Sequence, residues 1–209
     1  MKPTHSIEQV LGSRSKVRVL RELVGVSVPV NAAQIAVRTG LTRQAAGTVL
    51  GDLATMGLVA STAVGNARVH WLVRDNTYVR HLVEVVFRFE SGLPDKLLED
   101  LRDTFADAAE SVVLFGSYAR GDQGPASDID LVLVGSDEAG KLALDDLMAR
   151  EFGALGRRWG ATLSALTYTA EEAAQLWRRS PDLQRSLEAE GVVVAGTAPW
   201  EWRSGTEED

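Results

Sequence analysis

The chain has 209 residues, 45% hydrophobic and 24% charged, which suits a soluble globular protein of one large or two small domains. It has no cysteine, which excludes disulfides, thiolate metal sites and cysteine nucleophiles and fits a cytoplasmic setting. The net charge of −7 is uneven: residues 1–90 hold 11 Lys+Arg against 6 Asp+Glu, and residues 91–209 hold 11 against 23. Only the front part is suited electrostatically to a polyanion, so two domains with different partners is the simplest reading. No apolar run approaches the roughly 18 residues of a membrane span. The opening MKPTHSIEQVLG lacks the apolar core of a signal peptide. His5, His70 and His81 are scattered without metal-site spacing.

Short helices are expected first. Val17, Leu20, Leu23 and Val24 recur at helical spacing after Ser13, a good N-cap. In NAAQIAVRTG, Asn31 stands three residues before Gln34, the spacing of a capping box, and Gly40 supplies the stop. A further helix starts at Thr42 as N-cap and ends at Gly57, with Ala46, Val49, Leu50, Leu53 and Met56 on its apolar face. Gly47 and Gly51 each cost this helix about 1 kcal/mol relative to Ala; they suit either a close backbone approach or mere packing. LVASTAV and RVHWLV flank Gly65-Asn66, the signal for a β-hairpin. Residues 75–90 put Val79, Leu82, Val83 and Val86 on one helical face, suited to pairing with a second copy in a homodimer.

Two helices across a tight turn followed by a hairpin resemble the winged helix-turn-helix of bacterial transcription regulators, over residues 10–74. The resemblance implies that the second helix enters the major groove of double-stranded DNA and that the wing approaches the backbone. Arg43, Gln44 and Thr48 would then face bases or phosphates, and Arg68 would be the wing cation. The same pattern serves protein-interaction modules, in which Arg43 is only a solvated charge.

SGLP at 91–94 reads as a linker. DKLLEDLRDTFADAAE follows as an amphipathic helix with Leu97, Leu98, Leu101 and Phe105 on one side, and SVVLF as a buried strand. Gly116-Ser117 ends that strand, and YARG begins a helix whose free N–H groups suit an anion. In DIDLVLV, alternation puts Asp128, Asp130 and Val132 on one face and Ile129, Leu131 and Leu133 on the other. Two carboxylates beside a phosphate loop suit Mg²⁺, a hard cation that takes oxygen ligands, in a one- or two-metal arrangement. No Gly-x-x-x-x-Gly-Lys-[Ser/Thr] loop is present, which speaks against a P-loop ATPase. Trp159 and Trp177 read as packing residues, and Arg157-Arg158 and Arg178-Arg179 as solvated helix charges.

GSYARGDQGPASDIDLVLV is similar to the signature of the polymerase-β-like nucleotidyltransferases, most of all the minimal bacterial type. The resemblance covers residues 95 to about 195, closing with LEAEGVVVAG. It implies that Gly116 and Ser117 bind the phosphates of a nucleoside triphosphate, that Arg120 assists, that Ser127 shapes the turn, and that Asp128 and Asp130 hold Mg²⁺ and are catalytic. The family places a third carboxylate on a later strand; in GATLSALTY, 160–168, that position falls on Ser164, with Glu171 and Glu172 the nearby substitutes. Such proteins include toxin–antitoxin components.

The expected fold class is therefore α+β. A winged helix-turn-helix with its connecting helix spans 1–90, a small mixed-sheet nucleotidyltransferase domain spans 91–196, and an acidic tail spans 197–209. The expected function is Mg²⁺-dependent transfer of a nucleoside monophosphate to a hydroxyl of a protein, a tRNA end or a small molecule. The alternative is a nucleotide-sensing transcriptional regulator whose transferase fold does not turn over.

Overall fold

Side-chain caps set the first helices. A computed structural model describes residues 6–124 and 126–198. Helix α1 covers Ser6–Leu11. Helix α2, Arg14–Gly25, starts where the Ser13 hydroxyl accepts the Lys16 N–H, and it buries Val19, Leu20 and Leu23. Strand β1 is only Val30–Asn31. The Asn31–Gln34 capping box opens α3, Ala32–Thr39, and Gly40 closes it at φ 66°. Thr42 caps α4, Arg43–Thr55. Strands β2, Val59–Val64, and β3, Ala67–Leu72, turn at Gly65, whose φ of 58° a side chain would resist. The sheet order is β1-β3-β2, all antiparallel. These elements share one core, in which Leu20, Ile35, Leu50 and Leu53 are fully buried.

Two local expectations fail in the next stretch. A π-turn, Val79–Val83, precedes α5, Glu84–Ser91. Its wider turn holds the buried face at spacings of four, through Val79, Val83 and Phe87, and leaves Val86 exposed. The expected linker at 91–94 is reduced to Gly92, because α6 runs from Leu93 to Phe105. Pro94 stands in its first turn, where a missing N–H costs nothing.

The chain divides into two compact units, Met1–Gly92 and Leu93–Asp209. In unit 2, α6 leads to β4, Ser111–Phe115; α7, Gly116–Arg120; and β5, Ile129–Gly135. A long helix α8, Glu138–Trp159, then returns the chain to β6, Leu163–Thr169. Helices α9, Ala170–Arg179, and α10, Pro181–Glu190, precede β7, Val192–Gly196. The sheet order is β6-β5-β4-β7, with β5 and β6 parallel and the other pairs antiparallel. Both faces are covered, which is why β5 reads as a continuous apolar run. Ile129, Leu131 and Leu133 pack in one core with Leu101, Phe105 and Leu144, while Val132 and Val134 pack in another with Ala173 and Leu187. The fold is α+β, with one mixed sheet and one antiparallel hairpin sheet.

Trp159 packs against the larger core and donates its indole N–H to Asp100 at 2.9 Å. Arg158 pairs with the same carboxylate at 3.2 Å. The Trp177, Arg178 and Arg179 side chains and tail residues 199–209 lie outside the described residues.

Candidate functional site

The polar end of β5 is built around a missing side chain. Phe115, the last residue of β4, is the register partner of Asp130, and the chain turns into α7 immediately afterwards. That turn places Gly116 at φ 71°, and a Cβ there would stand 2.5 Å from Asp130 Oδ2. Glycine is needed twice over, for the left-handed backbone and for the carboxylate occupying its side-chain space. No side chain caps the first turn of α7. Its far end is closed by Gly121 at φ 73°, whose N–H reaches the Ser117 carbonyl.

Asp130 is half-buried, and burial raises its pKa above the ordinary carboxylate value, with the charge of Asp128 adding to the effect. Arg120 acts in the opposite direction. Asp128 is exposed, two residues earlier at the mouth of the strand. The Arg120 guanidinium itself is engaged: it donates to Glu190 at 2.7 Å and to Asp122 at 3.1 Å. These bonds, Glu190 first, raise its already high pKa. Glu190 comes from the end of α10, seventy positions away, and nothing local in the sequence announces it. Ser127 accepts the Gly124 N–H at 2.8 Å and so closes the loop before Asp128.

On the neighbouring strand, Ser164 is the parallel register partner of Asp130 and its side chain is exposed. The two nearby acids do not substitute for a carboxylate there. Thr169 and the residues after it lie at the opposite end of β6, roughly 16 Å along the strand from Ser164 by its rise per residue. Glu172 is committed to a capping box with Thr169 and to Lys141 at 2.7 Å, and Glu171 accepts from Gln175. Among the described residues no group of three or more His, Cys, Asp or Glu side chains is placed to hold a metal ion. The Asp128–Asp130 pair remains a fit for a single divalent cation. Its members are like-charged, close enough to raise one pKa, and have hard oxygen donors.

In unit 1 the four cationic and polar candidates separate into two stripes. Arg43 and Arg68 line one groove between α4 and the hairpin, with Gly47 and Gly51 between them. Arg68 also donates to Ser61 at 3.1 Å. Gln44 and Thr48 lie on the adjacent exposed stripe of α4, where the Thr48 hydroxyl donates back to the Gln44 carbonyl at 3.1 Å. Nothing lies within 4 Å of a Cβ built on Gly47 or Gly51, so packing does not explain these glycines.

Residues 94–182 match the nucleotidyltransferase domain family. No curated protein sequence matches the chain. Among solved structures, a MarR family transcriptional regulator from Silicibacter pomeroyi DSS-3 is 24% identical, over 49% of this chain and 73% of that one, with a TM-score of 0.36. A toxin–antitoxin crystallised with AMP-PNP is 22% identical, over 50% and 73%, with a TM-score of 0.32. Human N-acetylserotonin methyltransferase with SAM is 11% identical, over 89% and 43%, with a TM-score of 0.33. With TM-scores below 0.5, none of the three bears on the activity of this chain.

Proposed function

We propose that the chain is an Mg²⁺-dependent nucleotidyltransferase joined to a winged helix-turn-helix that binds double-stranded DNA. The observation that supports the first half is the Gly116–Asp130 packing, which sets the uncapped first turn of α7 against the Asp130 carboxylate, within the segment that matches the nucleotidyltransferase domain. Asp128 and Asp130 would hold the cation; when bound, it would neutralise phosphate charge and polarise the α-phosphate. Gly116 and Ser117 would bind the triphosphate through backbone N–H groups. Arg120, held in place by Glu190 and Asp122, adds positive potential on the phosphate side. The transferred nucleoside monophosphate leaves pyrophosphate and forms a bond to an acceptor hydroxyl. Arg43, Gln44, Thr48 and Arg68 would serve the duplex, an assignment supported by their exposure and by the +5 balance of residues 1–90.

A second reading is favoured by one residue. Ser164 offers a neutral hydroxyl beside Asp130, where a third carboxylate would complete a two-metal site and help activate the acceptor. In that reading the fold binds a nucleotide without turnover and biases DNA affinity. Transfer of label from α-labelled nucleoside triphosphates, compared between wild type and Ser164→Asp, separates the two. An active wild type supports the enzyme; an inactive wild type rescued by Ser164→Asp supports the sensor.

A further inference from the structure

We propose, resting on the transferase reading of unit 2, that Ser164 is itself an acceptor of the nucleoside monophosphate, so that the chain nucleotidylates its own β6. Ser164 is the parallel register partner of Asp130. Neighbouring strands lie about 4.8 Å apart, and side chains paired in this way leave the sheet on the same face. The residues that alternate with Ser164 point the other way. Leu163 and Ala165 pack in the larger core, and the Thr167 hydroxyl donates to Asp145 of α8 at 2.8 Å. On the Ser164 face the edge of the sheet is open, since β6 is an outermost strand and Leu166, two residues on, is 41% exposed. A nucleotide held at Asp130 is thus bordered by the Ser164 side chain.

Among the described residues the Ser164 hydroxyl makes no hydrogen bond, and it is exposed. Ser127 is engaged by the Gly124 N–H, and Ser111 donates to the Thr197 carbonyl. Ser117 belongs to the turn that would bind the triphosphate. The step is a substitution at the α-phosphorus. Ser164 Oγ forms the new bond to phosphorus, the bond from that phosphorus to the α,β-bridging oxygen breaks, and pyrophosphate leaves with the electron pair. The hydroxyl proton passes to the solvent that reaches the exposed side chain. A third carboxylate would help to activate an acceptor arriving from solution. A hydroxyl built into the site needs no encounter, and well-oriented intramolecular reactions gain effective concentrations of about 10⁵–10⁸ M. The serine that weakens transfer to an outside acceptor therefore supplies an inside one.

The test incubates the purified full chain with Mg²⁺ and each α-labelled nucleoside triphosphate in turn, without lysate, and locates the labelled residue by peptide mass spectrometry. We expect one nucleoside monophosphate on Ser164, gained at a rate constant that does not change when the protein is diluted. Ser164→Ala should lose at least a hundredfold of this self-labelling, while Ser164→Thr, which keeps a hydroxyl, should retain part of it. A second readout needs no turnover. The chain has no cysteine, so Ser164→Cys carries a single thiol. An α,β-methylene nucleoside triphosphate with Mg²⁺ should slow alkylation of that thiol at least tenfold. Label on Ser117 or any residue other than Ser164, undiminished label in Ser164→Ala, or alkylation unaffected by the analogue would each overturn the proposal. Label passing only to an acceptor in added lysate would also overturn it and leave the transferase reading standing; no label anywhere would overturn both.

Discussion

Gly116 and Asp130 occupy each other's space, and that pairing can be separated from ordinary glycine effects. Gly116 opens α7 and Gly121 follows its last residue, at φ 71° and 73°, but only Gly116 has a carboxylate where a Cβ would go. Gly121→Ala should cost only the left-handed strain, about 1–2 kcal/mol. Gly116→Ala should cost more and also displace Asp130, so its transfer activity should fall well below that of Gly121→Ala; thermal melts and label transfer on both variants check this. Asp130 also makes the apo protein pH-sensitive. Its folded pKa is raised, so the folded state holds more protons than the unfolded state between the two values, and stability falls as pH rises through them. Asp130→Asn should therefore melt higher than wild type at neutral pH, with the gap closing below the carboxylate range. His70 behaves oppositely: its folded pKa is lowered, so stability falls as pH drops through the ordinary histidine range near ~6.5. His70→Leu should flatten that slope between neutral and mildly acidic pH in melts of the full chain.

At the scale of elements, features with local causes were legible in the sequence. Ser13, Asn31 and Thr42 cap the helices they precede, because a cap needs only a side chain and an N–H three residues on. Asn31→Ala should thus lose about 1 kcal/mol, measured by urea unfolding. The alternation in β5 was equally readable, since strand period alone sorts Ile129, Leu131 and Leu133 from Val132. Non-local or irregular features were not. The π-turn at Val79–Val83 changes which residues of the following helix are buried, and no residue type marks it. Pro94 reads in sequence as part of a linker, although it is equally at home in a helix's first turn, where it stands. Of the candidate site, the Asp128–Asp130 pair stands out in the sequence by its spacing. The bond from Arg120 to Glu190 and the exclusion of Glu171 and Glu172 both depend on tertiary placement.

For the whole molecule, two compact units divide the charge: the positive balance lies in residues 1–90 and the negative one beyond. If unit 1 binds duplex DNA through phosphates, log affinity should fall linearly with log salt, and Arg43→Ala should reduce that slope by roughly one unit. The face read as suited to a second copy is spent within unit 1: Val79 and Val83 are fully buried and Leu82 packs against the same core, leaving only Val86 of the four exposed. Among the described residues no helix is long and apolar enough to cross a membrane. The central claim rests on Asp128 and Asp130, and it is tested most directly by incubating the chain with Mg²⁺, cell lysate and each α-labelled nucleoside triphosphate in turn. Wild type should transfer label to a defined acceptor, while Asp128→Asn/Asp130→Asn should lose at least a hundredfold of that activity, on the order of 2.7 kcal/mol of transition-state stabilisation. Equal labelling by both proteins, or none by wild type with any nucleotide, would contradict it.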